Sequence, residues 1–327
     1  VSVMAKVSVL VAVYNASAYL HQCLDSLLHQ THDDIQVICV DDCSTDDSLS
    51  ILHHYSALDK RVEVYHLDSN QGQAHARNIA LQHATGEYIC MLDSDDWFSA
   101  DALEKAVSAF DVNTDCVLFD VPMEWGDRTE RYETPEFNTL TGDEAFRLSL
   151  TWQIHGLYMV RASIHRQFPY DETCRLYSDD NTTRIHYLVS RNVRKCRGEY
   201  HYRQNPLSST HTVSVRRFDY LRANESMKNQ MLSHGVSYDA LCVYENHRWL
   251  NLIDVYMFYH CHGAQLNSDE RRYGLNELCR IWSTIDRSML NKKTITKFGY
   301  RPMSSWLLFR VQEWLYFTLR GILGRNH

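Results

Sequence analysis

The stretch KVSVLVAV, Lys6–Val13, is a nearly unbroken run of apolar, mostly β-branched side chains. A strand with one face in water alternates apolar and polar residues, whereas a strand covered on both faces has no need to. Lys6–Val13 is therefore predicted to be an inner strand of a parallel sheet that is buried on both faces.

Strand and helix patterns alternate after this stretch. Leucines on one face predict a helix over Ala18–Gln30. The same criteria predict further strands at Ile35–Val40, Val62–Leu67 and Glu87–Leu92, and helices at Asp47–Leu58 and Gln73–Thr85. Ser44 or Thr45 is expected to cap the helix over Asp47–Leu58. The alternation predicts an α/β fold with a mostly parallel, doubly wound sheet and helices on both faces.

The pattern is less regular after residue 100. We expect a helix over Asp101–Phe110, a strand over Cys116–Val121, a long irregular excursion over 122–142, a helix over Asp143–Leu150 and a strand within Gln153–Val160. From Val213 onward the pattern predicts long amphipathic helices.

Composition excludes several classes of protein. The 327-residue chain has a net charge of −8 and a sequence pI of about 6.1, which argues against a nucleic-acid-binding protein. The ten cysteines form no C-x-x-C pair, so we expect reduced thiols in a cytoplasmic protein. The eighteen histidines lack Cys or carboxylate partners at zinc spacing, so we expect no structural zinc. We recognise neither a signal peptide nor a membrane-spanning run.

Polar clusters follow three of the predicted strands: Tyr14-Asn15, Asp41-Asp42 and Asp93–Asp96. The carboxyl ends of parallel strands share one edge of a sheet, where ligands of such folds bind. Carboxylates this close repel one another, so the last cluster is either a solvated turn or a site for a cation.

Four motifs, in order, resemble the family 2 glycosyltransferases. They lie within VSVLVAVYNASAYLHQCLDSLLHQT, VICVDDCSTDDS and NQGQAHARNIALQHATGEYICMLDSDDW. The resemblance is strong over residues 5–110 and weak over 140–212. It implies the GT-A fold and inverting transfer of a sugar from a nucleotide-sugar donor.

The resemblance assigns roles at the donor site. It implies that Asp42 accepts a hydrogen bond from uracil and that Ala12, Tyr14 and Asn15 line the base pocket. It implies that Asp93, Ser94 and Asp95 form the D-x-D motif, with Asp95 and Asp93 binding Mn²⁺ or Mg²⁺. Arg77 is expected either to contact the donor phosphate or to hold a strand-end aspartate. We expect Asp96 to point away from the crevice or to cap a following helix.

The resemblance also implies a catalytic base. By position this is Asp180, with Asp179 as the alternative, at the start of a helix; the pair is otherwise a helix cap. Residues Tyr200–Arg203 and Ser208-Ser209 resemble the family's closing segment, which implies that Arg203 or His211 reaches the diphosphate. Trp97 is expected either to stack on a sugar or to anchor the next helix, and Trp152 and His155 lie where acceptors enter.

We predict three parts of the chain: a nucleotide-binding half over 1–110 and an acceptor half over 111–212, which together form the GT-A domain, and a helical region over 213–327. The last part is basic and aromatic-rich through 303–325, which is typical of a membrane-surface contact. A dimer contact or packing on the protein's own core are the alternatives.

The expected function is transfer of a sugar, from a UDP-sugar, to a glycan or lipid-linked glycan in bacterial surface-polysaccharide synthesis. The expected location is the cytoplasm or the cytoplasmic face of the inner membrane. Two alternatives are a catalytically silent glycan-binding relative and a sugar nucleotidyltransferase. The second lacks the basic phosphate loop that it would need after the first strand.

Overall fold

The structure is a computed structural model that describes residues 5–204 and 213–324. Its described residues form two compact units, one of 5–175 with 182–204 and the other of 176–181 with 213–324. The predicted boundary after residue 212 coincides with the end of the undescribed segment 205–212, so that boundary stays a prediction.

The first unit is built on one mixed sheet. Its strands are β1 (Val7–Val13), β2 (Ile35–Asp41), β3 (Val62–His66), β4 (Tyr88–Met91), β5 (Trp97–Phe98), β6 (Thr114–Asp120), β7 (Pro122–Glu124), β8 (Thr129–Arg131), β9 (Thr139–Thr141), β10 (Tyr158–Arg161) and β11 (Asn192–Arg203). The order is β3-β2-β1-β4-β10-β6-β11-β7-β8, with β5 and β9 also paired to β11. β1 to β4 are parallel, as predicted, and β10 runs antiparallel to both of its neighbours.

Strands and helices alternate from β1 to β4, and less regularly after that. The helices are α1 (Leu20–Leu28), α2 (Ser48–Leu58), α3 (Gln73–His83), α4 (Ala102–Ser108), α5 (Gly142–Ser149), α6 (Ala162–Gln167) and α7 (Asp179–Val189). Alternate residues of β1 enter different cores: Val9 and Val11 pack with α1 and α4, whereas Leu10 and Ala12 pack with α3. Both faces of β1 are therefore covered, which explains the unbroken apolar run that opens the sequence.

Two local predictions were wrong. The irregular excursion over 122–142 contains β7, β8 and β9, which pair with other strands. Helix α2 receives no side-chain cap from Ser44 or Thr45, and the Asp46 carboxylate instead accepts from the Ser48 amide at 3.0 Å. The helix predicted over Asp101–Phe110 is present as α4, which follows the two-residue strand β5.

The second unit is helical, as predicted. It contains α8 (Asp219–Ser233), α9 (Tyr238–His262), α10 (Ser268–Thr284), α11 (Lys292–Ile295) and α12 (Trp306–Ile322). An aromatic-rich core is formed by Phe218, Trp249, Phe309, Phe317 and the aliphatic side chains around them.

Within residues 5–204 and 213–324, none of the helices has both the length and the apolar character needed to cross a bilayer.

Candidate active site

The loops after β1 and β2 are joined at the carboxyl edge of the sheet. Val13 pairs with Asp41, and the Asp42 amide donates to the Val13 carbonyl at 2.8 Å. Asn15 has a positive φ of 50°, and its side-chain oxygen accepts from the Thr45 amide at 2.8 Å. These contacts hold Asn15 between the two loops. Tyr14 is half exposed, and Ala12 is buried.

The Asp42 side chain is buried and organises the loop before α3. Its two oxygens accept from the backbone amides of Gln71 at 2.7 Å and Gly72 at 2.8 Å. Gly72 adopts a φ of +99°, a conformation that side chains with a Cβ rarely take. The glycine of the NQG motif thus allows two successive amides to point at one carboxylate.

The neighbouring Asp41 is also fully buried. One of its oxygens accepts from the Ser44 amide at 3.1 Å and lies 2.8 Å from Nδ1 of His66. The other oxygen, Oδ1, is buried without a hydrogen-bond partner among the described residues.

Asp93, the first aspartate of the D-x-D motif, is held by α3. Its Oδ1 accepts from Arg77 at 2.6 Å and from the Gln73 side chain at 3.0 Å. Arg77 is 1% exposed, and its guanidinium also lies 5.3 Å from the centre of the Tyr170 ring. The structure thus places Arg77 in an internal ion pair, one of its two predicted roles.

Asp96 does not cap a helix; it points into the protein. Its oxygens accept from the Tyr200 hydroxyl at 2.9 Å and from the Arg203 amide at 2.7 Å. Burial, together with the nearby charges of Asp93 and Asp95, raises the pKa of Asp96 well above its usual value. The Tyr200 hydroxyl also accepts from the Asp93 amide at 3.0 Å, so one tyrosine of β11 links both ends of the acidic loop.

Arg203 is clamped beside this loop. Its guanidinium lies between the rings of Tyr19 and Trp97, at 4.9 and 4.7 Å from their centres. It donates to the Asp95 carbonyl at 2.8 Å and to the Gln22 side chain at 2.6 Å. Trp97 also stacks on His201, with ring centres 5.0 Å apart.

The sequence reasoning missed several of these supporting residues. Gln73 stands inside the quoted NQGQAHARN motif, so its contact with Asp93 had a local signal. Tyr19 and Gln22 lie in the first stretch that resembles the family, but they precede Arg203 by more than 180 residues, so no sequence pattern indicated this contact.

The D-x-D residues suit a hard divalent cation. Asp93, Ser94 and Asp95 are partly exposed and offer oxygen ligands. No group of three or more His, Cys, Asp or Glu side chains comes together as a metal site in the described part of the chain. Mg²⁺ and Mn²⁺ bound with a nucleotide commonly use one or two carboxylates and complete their shell with phosphate oxygens and water, so two aspartates fit that arrangement.

Asp179 and Asp180 are the first two residues of α7, and both are partly exposed. They belong to the short segment 176–181, which is fixed within the second unit. There the Asn181 side chain donates to the Ala223 carbonyl at 2.9 Å, and the Tyr177 and Tyr220 rings lie 4.9 Å apart.

Two other predicted residues have different outcomes. His211 lies outside the described residues. His155 is buried, and burial lowers its pKa to about 4, so contact of its ring with an acceptor would require the local structure to open.

Comparison with known proteins shows which sequences this chain resembles. The family model described as Glycosyl transferase family 2 matches residues 8–169. An uncharacterized glycosyltransferase of Haemophilus influenzae is 45% identical over 105 residues, which are 32% of this chain and 42% of that protein. The putative teichuronic acid biosynthesis glycosyltransferase TuaG of Bacillus subtilis is 46% identical over 99 residues, 30% of this chain and 39% of that protein. The matches thus span well under half the length of these relatives.

Solved structures share the fold over nearly the whole chain. Staphylococcus aureus TarS 1-349, crystallised alone and with UDP-GlcNAc, matches with a TM-score of 0.71 and 19% identity, covering 98% of this chain and 92% of that one. A mannosyltransferase of Pyrobaculum calidifontis, in complex with GDP-Man and Mn2+, matches with a TM-score of 0.54 and 16% identity, covering 98% and 88%.

Proposed function

We propose that this chain, which belongs to glycosyl transferase family 2 through its residues 8–169, transfers a sugar from a UDP-sugar to a glycan or lipid-linked glycan. One observation carries the proposal. The loop and first turns of α3 hold both Asp42, at the end of β2, and Asp93, after β4. A nucleotide base and a diphosphate would meet these two points at the edge where α/β sheets bind their ligands.

The donor would be held mainly by the first unit. Tyr14 offers an exposed aromatic face for stacking on the base. Asp42 already accepts two amides, and each carboxylate oxygen has capacity for a further bond, such as one from uracil N3–H. Arg77, being paired internally, would act by positioning Asp93.

Asp93 and Asp95 would hold Mn²⁺ or Mg²⁺. When bound, such an ion neutralises charge on the departing diphosphate. Asp180 would accept the proton of the acceptor hydroxyl as the hydroxyl oxygen attacks the anomeric carbon and UDP leaves, so that the configuration inverts in one displacement. The carboxylate of Asp179 is the alternative base.

The choice of UDP and of a surface glycan rests on relatives. TarS was crystallised with UDP-GlcNAc, and TuaG is named for teichuronic acid biosynthesis. A poly(ribitol-phosphate) beta-glucosyltransferase of Bacillus spizizenii is 45% identical over 101 residues, or 16% of its length. The ten free cysteines support a reducing, cytoplasmic location.

A donor panel tests the proposal. The purified chain would be incubated with UDP-, GDP- and TDP-sugars and Mn²⁺, and release of the nucleoside diphosphate would be measured. We expect release from UDP-sugars alone. Release from GDP-sugars would contradict the uracil site. Formation of nucleoside triphosphate from added pyrophosphate would indicate a nucleotidyltransferase, and no turnover with any donor would indicate a catalytically silent relative.

A further inference from the structure

Helix α12 is apolar on the side that faces solvent. We call the following exposed residues its outer face: Leu307, Leu308, Val311, Trp314, Leu315, Leu319 and Ile322. The opposite side, with Phe309 and Phe317, is buried in the core of the second unit. The helix is therefore apolar on both sides, although only one side is covered by described residues.

The outer face forms one continuous stripe. At about 100° per residue, its members fall within roughly 140° of the helix circumference, and the remaining residue in that sector is the uncharged Thr318. Single exposed leucines are ordinary on a protein surface. A contiguous apolar stripe without charged residues is typical of a surface that binds another protein, a membrane or a ligand.

The charge around this stripe is positive. Residues 288–324 contain six basic side chains and a single acid, Glu313, in a chain with a net charge of −8. Lys292, Lys293, Lys297 and Arg301 are exposed, whereas Glu313 is fully buried. Burial raises the pKa of Glu313 to about 8, although the hydrogen bond from Gln312 acts to lower it. The Glu313 carboxyl is therefore mostly neutral at pH 7.

Basic residues flank the stripe on both sides. The Gln312 side chain donates to the Arg301 carbonyl at 3.1 Å, and the exposed Phe298 ring lies 5.7 Å from the Tyr316 ring. The segment with Lys297 and Arg301 thus runs beside α12, along the Leu308 and Leu319 edge of the stripe. Arg310 lies on the other edge, next to Trp314 in the helical projection.

We propose that the outer face of α12 and the flanking basic residues dock on a bilayer surface that contains anionic lipid. An apolar stripe between basic edges can enter the headgroup boundary while its cations meet lipid phosphates. A second copy of this chain is a poorer occupant, because a two-fold contact would bring the same cations against each other. This docking is independent of sugar transfer and does not rest on it.

Vesicle flotation of the full chain tests the docking. We expect flotation with vesicles of equal parts phosphatidylcholine and phosphatidylglycerol, and little with phosphatidylcholine alone. Leu319→Glu should reduce the bound fraction by roughly tenfold or more, because it places a carboxylate in the apolar stripe. Leu232→Glu is a matched control, since Leu232 of α8 is 54% exposed and Leu319 is 53% exposed; it should float like the unaltered chain.

Other outcomes would overturn the proposal. Equal flotation of Leu319→Glu and Leu232→Glu would show that the outer face is not the contact. No flotation of the unaltered chain, together with a dimer in sedimentation velocity that Leu319→Glu makes monomeric, would show that a second copy covers the face. UDP affinity, measured on each variant, should be unchanged, and the donor panel reports on sugar transfer separately.

Discussion

Asp93, Asp95 and Asp96 lie within four positions of the chain but have different environments. Asp93 is partly exposed and tied to α3 through Arg77. Asp95 is partly exposed, and its carbonyl accepts from Arg203. Asp96 is buried, and its raised pKa favours a carboxyl that stays protonated. A protonated Asp96 carries no charge, so the repulsion expected among the three adjacent carboxylates is smaller.

Tyr200→Phe tests whether this network positions the acidic loop. The change removes a donor to Asp96 and an acceptor of the Asp93 amide, both in a buried setting. We expect the free energy of unfolding to fall by about 1–3 kcal/mol and UDP affinity in Mn²⁺ to fall as well. Chemical denaturation would measure the free energy of unfolding, and calorimetric titration would measure the UDP affinity.

Tyr187→Phe is the matched control for that variant. Tyr187 is equally buried, and its hydroxyl donates to the His155 carbonyl at 2.5 Å, without contact with the acidic loop. The Tyr187→Phe variant should lose about as much stability as Tyr200→Phe and should keep the UDP affinity of the unaltered chain. If both variants bind UDP like the unaltered chain, Tyr200 is only a structural residue.

Asp180→Asn tests the proposed base. Loss of a positioned proton acceptor should lower the transfer rate by about 10²–10⁴-fold, since the amide cannot take the proton. The dissociation constant for UDP should not change. Asp179→Asn, one residue earlier in α7, serves as its control and should retain most of the activity. Full activity of Asp180→Asn would remove Asp180 from the mechanism, and loss in Asp179→Asn alone would assign the role to Asp179.

Sequence pattern predicted the aspartates but not what surrounds them. Their position after predicted strands and their match to family motifs were both local signals. The packing of the Arg203 guanidinium against the Tyr19 and Trp97 rings was not predictable in that way. These three residues come from distant segments that only the folded sheet brings together. The buried state of Asp96 depends on the same strand, β11.

At the scale of elements, long and periodic segments were predicted well and short ones were not. β1, β2 and β4 are inner strands with almost all of their residues buried, so their apolar runs are unambiguous. β3 is the edge strand and is only partly buried. β5 has two residues and β7 to β9 have three each, too few for a period to be visible. Their pairing depends on distant residues of β11 and on one another, so local sequence carried little information about them.

Glu313 makes the stability of α12 depend on pH. Its pKa in the folded chain is about 8, above the ordinary value of about 4.3 for a glutamate in an unfolded chain. The folded state therefore binds the proton more tightly, and stability decreases as pH rises from about 4.3 to 8. Glu313→Gln keeps a neutral group of similar shape and should unfold at the same or slightly lower temperature at pH 5.

At pH 8 the same variant should be more stable than the unaltered chain, by about 1 kcal/mol or more, because the cost of burying a carboxylate is gone. Thermal unfolding of both chains across this pH range measures the difference. Parallel curves for the two chains would show that Glu313 titrates normally.

At the scale of the whole molecule, the sequence match to the family covers a shorter part of the chain than the structural match to solved proteins. The family model ends at residue 169, whereas the likeness to TarS covers 98% of the chain at 19% identity. Composition and periodicity predicted the helical character of the second unit, because amphipathic pattern survives where identity does not. Acceptor and transferred sugar were not predictable, since the motifs that match the family lie mainly in the nucleotide half.

Metal-dependent binding of UDP tests the central claim most directly. Calorimetric titration would compare the unaltered chain, Asp95→Asn and the exposed control Asp33→Asn, each in Mn²⁺ and in EDTA. We predict that the unaltered chain and Asp33→Asn bind UDP in Mn²⁺ and lose most of that affinity in EDTA, whereas Asp95→Asn binds weakly in both. Equal UDP affinity in Mn²⁺ and EDTA, or undiminished affinity in Asp95→Asn, would contradict a metal-assisted donor site at the acidic loop.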